Sequence, residues 1–349
     1  MKLFSIGIAV NEPDFSSSAT WNTSAITIAN ESVVGQYPTS IFINIQNKIY
    51  VNNRQTNQIL VWSNNTWTLL NIGNLINSWS IFITDKNDIF IDNGYSNGRV
   101  DKWSLNGTYY GSVMYTNSSC TSLFVDLINN LYCSSTNQHL VLKKIESNSN
   151  STTLSIVAGT GCPGAPANML DHPSGIFVDR NFNLYVADTD NNRIQCFQAG
   201  QTYAKTMVGF GASIFFLLNQ PTSVILDGQN NMFIVDSRNH RIIRSTSNGF
   251  QCLFGCSGHS GMSSSQLNSP QTIAFDRDGN IFIVDYNNHR IQKFHRIDDS
   301  SGKSCTYTFV KHESISTFER VLSLAMSVEL NVFKCRIHFA YKSFNLHFI

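Results

Sequence analysis

Charge is scarce in this chain. Asp, Glu, Lys and Arg make up 13 % of its 349 residues, about half the roughly 25 % of ordinary domains. The net charge is +1, so there is no overall basic footprint for nucleic acid, which is not expected as a partner. No apolar run reaches the ~18 residues of a membrane-spanning helix, and no span is expected. The eight cysteines form no zinc pattern. Cys252 and Cys256 are the closest pair, without a second pair or nearby His pair to complete four ligands. Cys133 and Cys196 fall in apolar runs and read as small core residues, while Cys120 and Cys162 stand at strand edges or loops, where a disulfide is open to them. A Gly-rich phosphate loop, a Ser nucleophile elbow and a paired-Cys redox motif are all missing.

Proline is also sparse, at seven, but three prolines keep time. Pro173, Pro221 and Pro270 stand 48 and 49 residues apart, and each opens the same pattern. An Asp follows 6 residues later (Asp179, Asp227, Asp276), a second Asp 9 later (Asp188, Asp236, Asp285), and an Arg 5 later still (Arg193, Arg241, Arg290). Between them lie runs such as Leu184-Tyr185-Val186-Ala187 and Ile281-Phe282-Ile283-Val284. Short β-branched and aromatic runs bounded by Asn, Asp, Gly or Ser read as strands. A period of 40–50 residues built from them marks a propeller or related array.

These words resemble the NHL repeat. Asn239-His240-Arg241-Ile242 and Asn288-His289-Arg290-Ile291 carry its signature in full, and Asn191-Asn192-Arg193-Ile194 departs at one position. The first half of the chain shows the pattern eroded, in copies opening at Pro38, Ser78 and Cys120. Six copies predict an all-β, six-bladed propeller over residues 21–297. Each blade has strands a, b, c and d from the channel outwards. Nothing of the strand-d type follows Phe294, but Ala25–Ala29 resembles Leu154–Ala158. The N-terminal stretch is therefore expected to supply the outer strand of the last blade, removing an open sheet edge. Residues 1–20 read as an N-terminal segment, either a stunted signal or a strand remnant. Residues 298–349 do not fit the repeat and receive no function.

The repeated Asp, Asn, His and Arg groups are the tempting chemistry. Asp and Asn favour turns by bonding nearby backbone, and the Arg fork can brace them. Catalysis needs asymmetry, and a set that recurs in every blade argues for scaffold. The resemblance brings enzymes with it: an amidating lyase whose ring holds zinc through His after the opening Pro, and calcium lactonases with acidic groups at the channel. Here the post-Pro positions are Ser174, Thr222 and Gln271, and His139, His172, His259 and His295 look scattered. Asp179, Asp227 and Asp276 end strand a and read as turn residues.

The expectation is thus a non-catalytic binding or scaffold propeller with no catalytic residue, cofactor or metal, recognising a protein or peptide. Its binding face is placed on the d-to-a loops and b-to-c turns, at Arg193, Arg238, His240, Tyr286 and His289, with Phe210, Phe215 and Phe216 near the rim. A metal-dependent lyase- or lactonase-type enzyme is the alternative. A second alternative, implied by the family, is the recognition module of a TRIM-type ubiquitin ligase without its RING. Six Asn-x-Ser/Thr sites, at Asn22, Asn30, Asn64, Asn106, Asn117 and Asn150, and the uncharged polar surface point to an extracellular glycoprotein, with a cytoplasmic location as alternative.

Overall fold

The computed structural model describes residues 10–73, 75–145, 153–213 and 216–297. The expectations placed on residues 1–9 and 298–349 lie outside them. The described chain forms six four-stranded antiparallel sheets, the blades of a propeller. Blade one runs from Pro38 to Leu69, blade two from Ile81 to Tyr115, and blade three from Ser122 to Gly159. Blade four runs from Pro173 to Gly209 and blade five from Pro221 to Phe254. Blade six takes Ile273–Phe275, Ile281–Asp285 and Arg290–Phe294, and its outer strand is Ile26–Ala29 from the front of the chain. The ring therefore closes as the repeat count required.

The inner strands are buried on both faces, so they read as unbroken apolar runs. Strand b of blade four, Leu184–Asp188, is buried throughout, as is Ile281–Asp285 of blade six. Asp179 shows why the a-to-b turns form where they do. Its Oδ1 accepts the N–H groups of Asn181 and Asn183, at 2.9 and 2.8 Å, and its Oδ2 accepts Asn183 Nδ2. Asp126, Asp227 and Asp276 repeat this turn. The turn needs one residue in the left-handed region, where Asn and Gly are tolerated best. Asn129, Asn230 and Gly279 hold that place with φ of 66°, 62° and 81°.

A belt of phenylalanines from strand a packs edge to edge around the axis. The ring centroids of Phe42, Phe82, Phe124 and Phe177 are 5.0, 5.2 and 5.1 Å apart in turn, the spacing aromatic pairs prefer. The segment from Val10 to Thr20, which carries no repeat signal, belongs to this packing. Asn11 Nδ2 donates towards the carbonyls of Ile43, Asn44 and Phe275, across the a-to-b turn end of the channel. Phe15 is 2 % exposed and sits against Trp21, Phe233 and Phe275. Trp21 donates its indole N–H to Gly279 O at 2.8 Å.

Two disulfides lie among the described residues, Cys120–Cys133 and Cys252–Cys256. Cys133, taken from sequence as a plain core residue, is thus a cross-link across the entry to blade three. Cys196 is a free buried thiol and Cys162 a free exposed one.

Candidate functional site

The b-to-c turns and d-to-a loops meet on one face, and a repeated unit builds it. In blades four, five and six a buried Asp ends strand b. Asp188, Asp236 and Asp285 each take the Nε of the Arg five residues on, at 2.7 Å in all three. Each also accepts the amide of an Asn, from Asn191, Asn239 and Asn288 at 2.9 Å. The other oxygen accepts a backbone N–H from the preceding loop, at Asp171, Asn219 and Asn268. Arg193 then reaches the carbonyls of Ala165, Pro166 and Met169, and Arg290 those of Met262, Ser263 and Gln266. Burial pushes the Asp188 and Asp285 carboxyls upward, while the N–H and guanidinium donors pull them back.

The His of the motif fastens one blade to the next. His139, His240 and His289 follow short 3-10 turns with φ of 53°, 54° and 53°. Each Nδ1 accepts the N–H of the residue that precedes strand a of the following blade. The donors are His172 at 3.2 Å, Ser269 at 3.0 Å and Tyr37 at 3.2 Å. Asn192 and Asn57 do the same through Oδ1, to Gln220 and Asn77. An imidazole and a carboxamide are thus interchangeable as staples.

These roles account for much of the binding face expected from sequence. Arg193 is only 4 % exposed, with its guanidinium engaged as above, so it is a brace. His240 is a staple, and burial, then Arg238, hold its imidazole below the ordinary range. Arg238 is exposed and donates to Gln220 Oε1 at 3.0 Å. Tyr37 packs against both Tyr286 and His289, at centroid distances of 5.1 and 4.5 Å. Phe210 is exposed and Phe216 lies under the guanidinium of Arg241. Phe215 lies outside the described residues.

The central channel holds a cavity of about 110 Å³, lined by strand a of all six blades. Towards the loop face its wall is hydroxylic, with Ser40, Ser80, Thr121, Ser122, Ser223 and Thr272. Ser40 Oγ and Thr272 Oγ1 have no hydrogen-bond partner within the protein. Metal sites of the two enzyme types named above do not fit this channel. The post-Pro positions offer hydroxyls and an amide, and the carboxylates of Asp179, Asp227 and Asp276 are taken up in turns at the opposite end.

At one junction the repetition breaks. Where blade three meets blade four, the staple His139 faces His172, and their ring centroids are 4.5 Å apart. His172 Nδ1 lies 2.8 Å from Asp171 Oδ1 and 2.9 Å from Asp190 Oδ2. His139 Nδ1 lies 3.4 Å from the same Asp171 oxygen. The position of His172 is occupied by Gln220, Ser269 and Tyr37 elsewhere, all with positive φ, as His172 has. In the sequence His139 and His172 look scattered relative to the repeat, 33 residues apart. Aligning His139 with His240, and His172 with Ser269, would have put them side by side.

The NHL repeat family model matches residues 170–197 and 267–294. Together with the six blades, these matches make the chain an NHL-repeat β-propeller. No curated protein matches it. Among solved structures it is similar to a catalytically inactive histidine-to-alanine variant of virginiamycin B lyase from Staphylococcus aureus with quinupristin. Identity there is 13 %, coverage 80 % of this chain and 100 % of that one, and the TM-score 0.57. A gluconolactonase from Xanthomonas campestris is 13 % identical over 84 % of this chain and 99 % of its own, with a TM-score of 0.58. An auxiliary nutrient binding protein from Bacteroides thetaiotaomicron is 14 % identical over 82 % of this chain and 75 % of its own, with a TM-score of 0.59. Likeness at such identity shows the shared fold.

The expectation of a ring that catalyses nothing is corrected here. The propellers it resembles include lyases and lactonases. The physical ground for excluding catalysis was repetition, and at His139, Asp171, His172 and Asp190 that ground gives way.

Proposed function

We propose that this chain is a propeller enzyme of the lyase or lactonase type, with its reaction centre at the junction of blades three and four. The observation that carries the reading is the convergence of His139, Asp171, His172 and Asp190 on the loop face. Clusters of interacting titratable groups on an accessible surface are where catalysis is usually found. The cluster stands on rigid elements, because the staple from His139 and the clamp from Asp188 fix both of its sides. Two disulfides favour an oxidising, extracellular setting.

The test is direct. Purified protein is incubated with gluconolactone and, separately, with quinupristin, and loss of the intact compound is followed by mass spectrometry. Turnover of either, abolished in His172→Asn, supports the reading. No turnover of either, or turnover unchanged by that substitution, rejects it.

A further inference from the structure

We infer that His139, Asp171, His172 and Asp190 form a binding site for a zinc-class divalent cation. The inference deepens the proposed reaction centre and rests on it only for what the metal would do. The binding itself stands on the geometry alone.

His139, Asp171 and His172 offer ligand atoms that all lie within 4.8 Å of one another. The nearest separations are 2.8, 2.9 and 3.4 Å, with Asp190 counted in. Zinc bonds to His nitrogen and carboxylate oxygen at about 2.0–2.2 Å, so tetrahedral ligand atoms sit roughly 3.3 Å apart. The atoms of His139, Asp171 and His172 therefore already lie near the spacing of three such ligands, and Asp190, 2.9 Å from His172 Nδ1, stands beside them as a fourth.

Hydrogen bonding alone leaves the cluster poorly satisfied. A His Nδ1 carries at most one hydrogen, yet Asp171 Oδ1 and Asp190 Oδ2 both crowd His172 Nδ1. His139 Nδ1, which already accepts a backbone N–H, faces the same Asp171 oxygen. One proton thus serves two carboxylates, and a cation between them would answer Asp171, His172 and Asp190, with His139 Nδ1 joining by exchanging the backbone N–H of His172 for the ion. Two imidazoles with carboxylates select a zinc-like ion over calcium or magnesium, which prefer all-oxygen sites. The repeat shows that this is not a scaffold requirement, since four other junctions keep the staple with Asn77, Gln220, Ser269 or Tyr37 in the place of His172. Such an ion, bound, would act as a Lewis acid on a substrate carbonyl.

The test is zinc chloride titration of the chelator-treated full chain by calorimetry. The variants are His139→Asn and His172→Asn. Asn keeps the inter-blade hydrogen bond, as Asn192 shows, and tolerates positive φ, so both should fold. The expected result is one zinc per chain, bound at least about tenfold more weakly by either variant, since even outer-shell changes cost 10–100-fold. Zinc should raise the melting temperature of the wild type and not of the variants. No binding, or binding that survives both substitutions, overturns the inference. Zinc binding without turnover would reject the enzyme reading and keep the metal site, and turnover without zinc binding would keep the enzyme reading and reject the metal site.

Discussion

His240 Nδ1 accepts the backbone N–H of Ser269 at 3.0 Å, tying the b-to-c turn of blade five to the entry of blade six. The name-giving His of the repeat is here a joint between blades. His240→Ala should cost about 1 kcal/mol, the ordinary net worth of one hydrogen bond, and lower the thermal midpoint. His240→Asn should restore most of it, because Asn192 makes the same bond to Gln220 at 2.8 Å. Equal loss in both variants would show that the imidazole acts through packing instead.

The buried Asp of the repeat should matter far more. Asp285 has a fully buried side chain and binds Arg290, Asn288 and the Asn268 N–H. Asp285→Ala leaves a guanidinium without its partner, and breaking a buried pair in this way costs about 3–5 kcal/mol. Denaturant unfolding of the variant measures it. A loss under about 1 kcal/mol would show that Arg290 is held by the loop carbonyls alone.

Closure of the ring depends on the front of the chain. A chain beginning at Gly35 lacks both the outer strand Ile26–Ala29 and the Phe15 wedge. It should lose cooperative unfolding or aggregate through the bare edge of Arg290–Phe294. Phe15→Ala alone should cost about 3–5 kcal/mol. A sharp, undiminished melt in the shortened chain would contradict the closure.

Asp92 predicts a pH effect. It accepts N–H groups from Trp79, Gly94 and Cys120, yet burial outweighs them and pushes its carboxyl up to about 7 from the usual 3.8. The arginine opening the next strand, Arg99, is bound to Asp101 instead. The folded state therefore holds this proton more tightly than the unfolded one. Stability from the group is full below about pH 4 and is lost as pH rises through about 7. The stability of the wild type relative to Asp92→Asn should fall between pH ~5 and ~8. A difference that stays flat or grows would contradict this environment.

Much of the fold was legible because each blade repeats the same physics. Pro173, Pro221 and Pro270 mark the start of strand a, Asp179 and its equivalents mark the turn, and the outer strand at 26–29 was found by elimination. What stayed hidden lacked repetition or needed the third dimension. Phe15 is buried against Phe233 and Phe275, but no periodic signal surrounds it. Cys120 and Cys133 meet because adjacent strands face each other across 13 residues. His139 and His172 come from different blades, so their pairing shows only once the blade register is known. The same repetition that revealed the scaffold argued against catalysis, and the cluster of His139, Asp171, His172 and Asp190 is where that argument has no repetition to rest on.

The central claim is that chemistry belongs to the junction of blades three and four and not to the NHL motif in general. Comparing His139→Asn with His240→Asn tests it most directly, since both keep the staple and differ only in junction. Turnover of gluconolactone or quinupristin, measured alongside the melting temperature, should collapse in His139→Asn and remain near wild type in His240→Asn, with both melts near normal. Equal activity in the two variants, whether both retained or both lost, would contradict the account.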